Sequence, residues 1–487
     1  MKHSKLLTLI MLPLAALLTT PAAAQSNVEL DRAVKSVSNE ECMKHATVAV
    51  SVYNISRGRT VYGNNAQRSM IPASMHKIFV TAIAFDQLGG NFRFKTTLAH
   101  DGTIDDNGTL NGNIYIVGGG DPLLGSYRYR QTTPDSVFRT WYTAIHQSGI
   151  RKVNGQVCYV QSIYDNLELH DSWQWGDIGN YYGAGACGLN FHENMYFVYF
   201  NAGMRLGYPA SLERTDPRNV TMRNINEVST GPEGTGDRVI IYGAPNSSQR
   251  LYRGTVPLGS RNFAVRGALP NPAATCAESF STYLRQQGIS ISASVKEAAT
   301  LPPSSRTLLE YQSTPFNILA QYINRTSNNI YAESVFKYLG YDRYGKGSFA
   351  NASKAIHDFF RTHSLDDSGI QIADGCGLSR SNLTTSDFTC RFLTEISKMM
   401  VYDDFVKTMA VAGKNGTARN ILTSLPQGTT MYIKSGTMEG VKAYCGYVTT
   451  ARGEQLCYCV ISNNHTCSSA TVTKKLERIL NQIALLN

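Results

Sequence analysis

The spacing of apolar and polar residues predicts a helix, a hairpin and a second helix near the start of the chain. Residues 28–44 have the spacing of an amphipathic helix, and residues 46–53 alternate as a half-buried strand does. A polar turn and an extended run at 60–62 follow. Apolar residues then recur at helical spacing from 78 to 88, so Ser74 is expected to open a buried helix.

The middle of the chain has a different pattern. Between residues 86 and 300, short β-like runs such as 112–117 and 238–242 are separated by Gly, Asn, Asp and Pro. This pattern indicates a β-rich insertion.

Helical spacing returns after residue 308. The predicted helices there are 316–323, 331–339, 350–362, 387–400 and 471–486. The predicted strands are 430–433, 443–449 and 455–462. The simplest fold class is α+β: a helix-and-sheet domain of residues 25–92 and 300–487, interrupted by a β-rich region of residues 93–299 that we expect to form two nested domains.

The first residues are typical of a secretory signal peptide. A basic start with Lys2 and Lys5 precedes an apolar run at 6–18 and small residues at 21–24, which predicts a signal peptide of residues 1–24. The apolar run is too short to span a bilayer comfortably. We therefore expect an exported protein, located in the periplasm.

The cysteine content fits an oxidising compartment. The chain has 10 cysteines, and Cys445, Cys457, Cys459 and Cys467 are crowded together near the C-terminal strands. Sequence alone does not determine the pairing. Two interpretations remain: a disulfide in that region, or cysteines that are simply small buried residues.

The formal net charge is +10, and it falls slightly when the basic signal peptide is removed. The chain has no compact run of Lys and Arg. A solvated basic surface is therefore favoured over a site for nucleic acid or another polyanion.

Ser74 and Lys77 have the spacing of a nucleophile and its base. Residues three apart lie on one face of a helix, so the amine can reach the hydroxyl. A serine hydroxyl needs a base to take its proton, and burial can lower the pKa of a lysine enough for that task. This spacing is weak by itself because Ser-x-x-Lys also occurs by chance.

Two later motifs add suitable chemistry. Ser327-Asn328-Asn329 lies in a polar break between two predicted helices, so its side chains can face a cleft. Lys434-Ser435-Gly436-Thr437 follows the strand predicted at 430–433 and ends it, and Gly436 leaves room for another backbone alongside. Together they supply a hydroxyl, an amide and a second amine.

These three motifs, in this order, resemble the SxxK, SxN and KTG or KSG set of penicillin-binding proteins and serine β-lactamases. Longer stretches narrow the resemblance to the low-molecular-mass class C penicillin-binding proteins, the peptidase S13 or D-alanyl-D-alanine carboxypeptidase/endopeptidase family. The matching stretches are 70–74, 118–122, 182–184, 374–380 and 412–417. The resemblance implies a penicillin-binding catalytic domain, an antiparallel sheet flanked by helices, with two inserted mainly β domains.

The resemblance also implies roles for the motif residues. Ser74 would be the acyl-forming nucleophile and Lys77 its general base. Ser327 and Asn329 would relay a proton to the departing D-alanine and hold the substrate amide, and Lys434 would add positive charge near the substrate's terminal carboxylate.

Substrate-binding residues follow in the same way. Ser435 and Gly436 belong to the KSG motif at the substrate-binding strand, and the backbone N–H groups of Ser74 and Thr437 would form an oxyanion hole. In relatives that cleave diaminopimelate peptides, an Asp, an aromatic residue, an Arg and a Gln contact that side chain. The corresponding residues here are Asp177, Tyr182, Arg380 and Glu439, so the last one differs in charge. Cys376 stands where the family usually has Ser.

The implied function is hydrolysis of peptidoglycan stem peptides or crosslinks through an acyl-enzyme, with β-lactam antibiotics as covalent inhibitors. No cofactor is expected, and no metal site, because the histidines are scattered and His192-Glu193 lacks a second His four residues after the first. A β-lactamase-like hydrolase and a catalytically silent wall-binding scaffold are the alternatives. The long insertion argues against the first, and retention of Ser74, Lys77 and Lys434 argues against the second. Contact with the membrane surface or wall and the oligomeric state stay open.

Overall fold

The computed structural model describes residues 22–218, 220–244 and 246–486. Residues 1–21 of the predicted signal peptide lie outside the described residues. The helices are α1 (Ala22–Ser38), α2 (Lys77–Leu88), α3 (Pro134–Gln147), α4 (Trp175–Ile178), α5 (Pro272–Gln286), α6 (Phe316–Gln321), α7 (Asn329–Tyr344), α8 (Phe349–Thr362), α9 (Ser386–Ile396), α10 (Tyr402–Lys407) and α11 (Ser469–Ala484).

The strands follow the same chain order. They are β1 (Thr47–Asn54), β2 (Arg59–Asn64), β3 (Lys95–His100), β4 (Thr103–Ile104), β5 (Thr109–Asn111), β6 (Ile114–Val117), β7 (Lys152–Val153), β8 (Val157–Val160), β9 (Met195–Asn201), β10 (Ser211–Asp216), β11 (Arg223–Gly231), β12 (Arg238–Tyr242), β13 (Gln249–Pro257), β14 (Phe263–Ala268), β15 (Ser290–Ile291), β16 (Lys296–Glu297), β17 (Arg306–Gln312), β18 (Ala410–Val411), β19 (Thr430–Met438), β20 (Val441–Thr449) and β21 (Gln455–Asn463).

The two ends of the chain build one six-stranded sheet. Its order is β18-β19-β20-β21-β1-β2, and all five strand pairs are antiparallel. Helices α1 and α11 cover one face, where Leu30 and Leu476 join a core with Val460. Helices α2, α7, α8 and α9 lie on the other side. Both faces of the sheet are thus covered, so β20 and β21 are buried along almost their whole length.

Helix α2 is the central helix of this unit. Its residues from Lys77 to Phe85 are all buried, as expected for a helix that is apolar almost all round. Phe79 packs edge-on against Phe392, with ring centroids 4.9 Å apart. Burial on every side holds the start of α2 in one position.

The segment between α2 and α6 forms the remaining sheets. A five-stranded sheet, β16-β8-β6-β3-β17, and a four-stranded sheet, β15-β7-β5-β4, enclose a core with α3 and α5 that is centred on Trp141 and Phe280. Two three-stranded sheets, β10-β9-β14 and β11-β13-β12, share a separate core around Tyr252. The inserted strands continue to Gln312, past residue 299, and the grouping into domains stays a prediction.

The α+β prediction is confirmed, while some predicted boundaries differ from the observed ones. Ser74 lies on a short 3-10 turn, Ala73–His76, and α2 begins at Lys77. The first helix ends at Ser38 instead of residue 44. The KSG motif does not end its strand, because pairing with β20 continues to Met438.

One disulfide joins Cys42 to Cys467 and ties the segment after α1 to the segment before α11. The other eight cysteines are free and buried. Both sequence-based alternatives are therefore realised in part, since Cys467 forms a bridge, but to a partner that is 425 residues away in sequence. Within the described ranges, no helix is long and apolar enough to cross a membrane.

Candidate active site

The turn that carries Ser74 is packed against the KSG strand. Ala73 has a φ of 48°, and a side chain at Gly436 would place its Cβ 2.3 Å from the carbonyl oxygen of Pro72. Only glycine lets the two backbones approach this closely. The prediction that Gly436 leaves room for a neighbouring backbone is therefore supported by the local geometry.

Lys77 is the centre of the site. Its Nζ lies 2.8 Å from Ser74 Oγ and 2.7 Å from Asn329 Oδ1, and it also donates a hydrogen bond to the backbone oxygen of Cys376. Asn329 in turn donates from Nδ2 to the backbone oxygen of Tyr182 at 2.6 Å. The Ser74 hydroxyl and the Lys77 amine thus share one hydrogen-bonded group with an amide and a backbone carbonyl from two distant parts of the chain.

Burial prepares the Lys77 amine to act as a base. Its side chain is completely buried, and desolvation lowers the pKa of Lys77, partly opposed by the nearby Cys376, Asp374 and Glu333. A neutral amine has a lone pair that can accept a proton from the Ser74 hydroxyl.

Two buried carboxyl groups hold the loop that presents the Cys376 carbonyl. Asp374 accepts from the backbone N–H groups of Gly377 and Ser379, and Glu333 Oε1 accepts from the N–H groups of Gly375 and Cys376. Desolvation raises the pKa of Glu333 to about 8. The loop is fixed from both sides beneath Lys77.

Ser327 occupies an unusual backbone position. It ends a π-helical turn, Tyr322–Thr326, with a φ of 60° in the left-handed region. Its Oγ receives a hydrogen bond of 3.0 Å from Lys434 Nζ, which also bonds the backbone oxygen of Ser435 at 2.8 Å. Ser435 Oγ donates to Thr417 Oγ1 at 2.8 Å. The second and third motifs therefore meet at Ser327 and Lys434.

The second amine is also desolvated. Lys434 is completely buried, and its pKa is held well below the usual value by desolvation and by the positive charge of Lys77. Lys442 donates to Thr437 Oγ1 at 2.8 Å, and desolvation lowers the pKa of Lys442 to about 8. Any of these amines that carries a proton favours an anionic substrate group nearby.

The four residues expected at the side-chain subsite also come together. The Asp177 and Tyr182 side chains are hydrogen-bonded, and Arg380 lies close enough to Asp177 to favour its charged form. Arg380 donates to the backbone oxygen of Glu439 at 3.2 Å. Asp177 comes from the inserted segment, so the subsite is shared between the insertion and the unit that holds Ser74.

Several residues of the site were missed by sequence reasoning. Glu333 follows Asn329 by four residues on α7 and so shares its helix face, a signal that was available. Thr417 and the Cys376 carbonyl carried no such signal. His76, inside the first motif, is completely buried and meets Phe79 edge-on, with ring centroids 5.5 Å apart.

Glu333, Asp374 and Cys376 form a candidate metal-ligand group, with ligand atoms within 4.8 Å of one another. Their chemistry does not fit an ion well. Glu333 Oε1 and both oxygens of Asp374 already accept hydrogen bonds, and desolvation keeps the pKa of the Cys376 thiol well above its usual value. Glu333 and Asp374 instead hold the loop in place by accepting hydrogen bonds from its backbone N–H groups.

Comparison with known proteins agrees with this geometry. The model of the D-Ala-D-Ala carboxypeptidase 3 (S13) family matches residues 30–484. The chain is 23% identical over 483 residues to the D-alanyl-D-alanine carboxypeptidase of Actinomadura sp. (strain R39), covering 96% of this chain and 87% of that relative. It is 25% identical over 422 residues to the D-alanyl-D-alanine carboxypeptidase DacB of Haemophilus influenzae, covering 85% of this chain and 84% of the relative.

A solved structure shows the same fold. The crystal structure of penicillin binding protein 4 from Haemophilus influenzae has a TM-score of 0.80 at 22% identity, covering 92% of this chain and 98% of that one. A second structure of that protein, in complex with a novel β-lactam, has a TM-score of 0.75 at 21% identity over 92% of this chain and 98% of that one. The resemblance noted from the motifs is confirmed, and the chain belongs to the S13 family of D-Ala-D-Ala carboxypeptidases.

Proposed function

We propose that this S13 family member hydrolyses the D-Ala-D-Ala bond of peptidoglycan stem peptides, or the D-Ala–diaminopimelate crosslink, through an acyl-enzyme on Ser74. Family membership supports the carboxypeptidase activity. The observation that carries the mechanism is the contact of a buried amine, Lys77 Nζ, with Ser74 Oγ at 2.8 Å. This pair supplies a nucleophile and its base.

Acylation starts with proton transfer. The neutral Lys77 amine takes the hydroxyl proton while Ser74 Oγ forms a bond to the carbonyl carbon of the penultimate D-alanine. The carbonyl oxygen becomes an oxyanion, which the backbone N–H groups of Ser74 and Thr437 stabilise. In other acyl-transfer enzymes, one such donor lowers the activation barrier by about 3–4 kcal/mol.

Collapse of that intermediate breaks the carbon–nitrogen bond. Ser327 gives its hydroxyl proton to the leaving amine and regains one from Lys434, which already donates to Ser327 Oγ at 3.0 Å. The positive charge of Lys434 also attracts the carboxylate of the departing D-alanine. Lys77 then passes the proton it took from Ser74 to the neutral Lys434, and its free amine takes a proton from the water that attacks the ester. That proton goes to Ser74 Oγ as the ester carbon–oxygen bond breaks, which restores the Ser74 hydroxyl.

The acyl side of the substrate lies along Asn329 and the subsite of Asp177, Tyr182 and Arg380. Asp177 and Arg380 offer opposite charges, which suits an amino-acid side chain that ends in both an ammonium and a carboxylate group, as diaminopimelate does. Ser435 and Gly436 belong to β19, and the substrate would bind alongside this part of the strand. The exposed Glu439 brings a negative charge that the usual Gln lacks.

The location and partners follow from this substrate. Peptidoglycan lies outside the cytoplasmic membrane, so we propose export to the periplasm after removal of residues 1–24. β-Lactams would acylate Ser74 as substrate analogues that hydrolyse slowly. The Haemophilus influenzae protein with a similar fold has been crystallised with such a compound.

Mass spectrometry of the protein after incubation with a penicillin tests this proposal. We expect a long-lived adduct that peptide mapping assigns to Ser74 and that is absent from Ser74→Ala. Ser69→Ala is the matched control, because Ser69 is an exposed serine on the same segment. An adduct elsewhere, or none, would refute the assignment of the nucleophile, and rapid penicillin turnover without an adduct would favour the β-lactamase alternative.

A further inference from the structure

A cavity of about 290 Å³ opens next to the serine that we propose as proton donor to the leaving group. Residues 326–330 form one wall, and the rest is lined by Arg128, Tyr181, Tyr182, Glu193, Met195 and Arg266. This volume is close to the lower limit of about 300 Å³ for pockets that hold drug-sized ligands. A single departing D-alanine would leave most of it empty.

Tyr181 and Tyr182 both line the cavity, and Tyr182 also borders the acyl-side subsite. Tyr182 hydrogen-bonds with Asp177 on the acyl side, whereas Tyr181 lies beneath Arg266 in the cavity. The two tyrosine rings meet edge-on, with centroids 5.5 Å apart. The cavity is thus bordered by Tyr182 and Asn329 of the acyl side, by Ser327, and by the Arg266–Tyr181 pair.

The charge of the cavity comes from one arginine. Arg128 is neutralised by Glu193, 2.8 Å from its Nη2, and its Nε donates to Tyr331. Arg266 is exposed and stacks on Tyr181, with 3.6 Å between its guanidinium carbon and the ring centroid. Within the described parts of the chain it forms no ion pair. Burial raises the pKa of Asp237, and the Val239 N–H and the charge of Arg266 oppose that rise. A stacked guanidinium keeps its N–H edge free to bind a carboxylate in the plane of the group.

We propose that this cavity binds the leaving half of a cross-linked substrate, with Arg266 on Tyr181 as the contact for one of its carboxylates. The inference rests on the proposed function and deepens it. In a crosslink, the leaving amine belongs to a diaminopimelate residue within a second stem peptide, and that peptide carries free carboxylates. When the enzyme acts as a carboxypeptidase, the leaving group is a single D-alanine, and its one carboxylate is attracted by Lys434. The cavity thus fits endopeptidase action specifically.

The test compares two substrates in the full mature chain. One is a purified cross-linked muropeptide dimer with a D-Ala–diaminopimelate bond, and the other is a monomeric pentapeptide that ends in D-Ala-D-Ala. For Arg266→Gln we expect KM for the dimer to rise about tenfold, as expected for one charge-assisted contact, while kcat/KM for the pentapeptide stays within about twofold. Arg266→Glu should raise the dimer KM further because it repels the carboxylates.

Arg261→Gln is the matched control, because Arg261 is an exposed arginine just before the same strand, β14, and does not line the cavity. It should leave both substrates unaffected. Equal losses on both substrates with Arg266→Gln, or no loss on the dimer, would overturn the subsite and leave the proposed function intact. A wild-type protein that cleaves the pentapeptide but not the dimer would overturn it as well. Failure of the wild-type protein on both substrates, with no penicillin adduct, would instead count against the proposed function.

Discussion

Replacing Asp374 by Asn should disturb the site although Asp374 does not contact the proposed nucleophile. The two carboxyl oxygens accept four hydrogen bonds from N–H groups: Oδ1 from Gly377 N and Asn382 Nδ2, both at 2.7 Å, and Oδ2 from Ser379 N at 2.6 Å and Trp173 Nε1 at 2.7 Å. The side chain is completely buried. An amide keeps only one oxygen, and its NH₂ group would face two donors.

The expected loss can be estimated from these contacts. Two hydrogen bonds to a charged acceptor are removed, each worth about 1.5–3 kcal/mol, so the loop should lose about 3–6 kcal/mol. The same loop presents the Cys376 carbonyl to Lys77. A misplacement of about 1 Å at such a group can cost about 100-fold in rate, so we expect acylation by penicillin to slow by a factor of that size.

The assay is the rate of acylation by a fluorescent penicillin, with the melting temperature of the same samples. Asp366→Asn is the matched control, since Asp366 is exposed and its carboxyl oxygen accepts from Ser368 N in the same region. It should retain the wild-type rate and melting temperature. A wild-type acylation rate and melting temperature for Asp374→Asn would refute the view that this carboxyl group positions the Lys77 contact.

Two further predictions concern the amine and the disulfide. Because desolvation lowers the pKa of Lys77, the amine is neutral above that pKa and protonated below it, so the rate of acylation should rise with pH through this pKa. Lys77→Arg, which keeps the charge but cannot lose its proton, should abolish acylation at every pH, and a pH-rate profile measures both effects. Cys42→Ser should lower the melting temperature, since removal of a native disulfide typically costs about 2–4 kcal/mol, while acylation at 25 °C is retained. An unchanged melting curve, with or without reductant, would contradict the stabilising role of the Cys42–Cys467 bridge.

The sequence by itself determined the features that depend on neighbours along the chain. Ser74 and Lys77 are three residues apart, so one turn of helical backbone is enough to bring the hydroxyl to the amine. The apolar run after Lys77 made α2 a buried helix, and Gly436 marked a close approach of two backbones. The order of the three motifs indicated penicillin-binding proteins or serine β-lactamases, and longer matching stretches narrowed the resemblance to the S13 family.

Only the tertiary structure decided which distant groups meet at Lys77. The Cys376 carbonyl is 299 residues from Lys77 in sequence, and Asn329 is 252 residues away. Cys42 and Cys467 are separated by 425 residues. Such contacts depend on strand order, register and the packing of loops, which no local pattern records. The same holds for Arg266. Its place beside the cavity results from the way the inserted sheets pack near the catalytic unit, and in that place we propose that its charge helps to select the substrate.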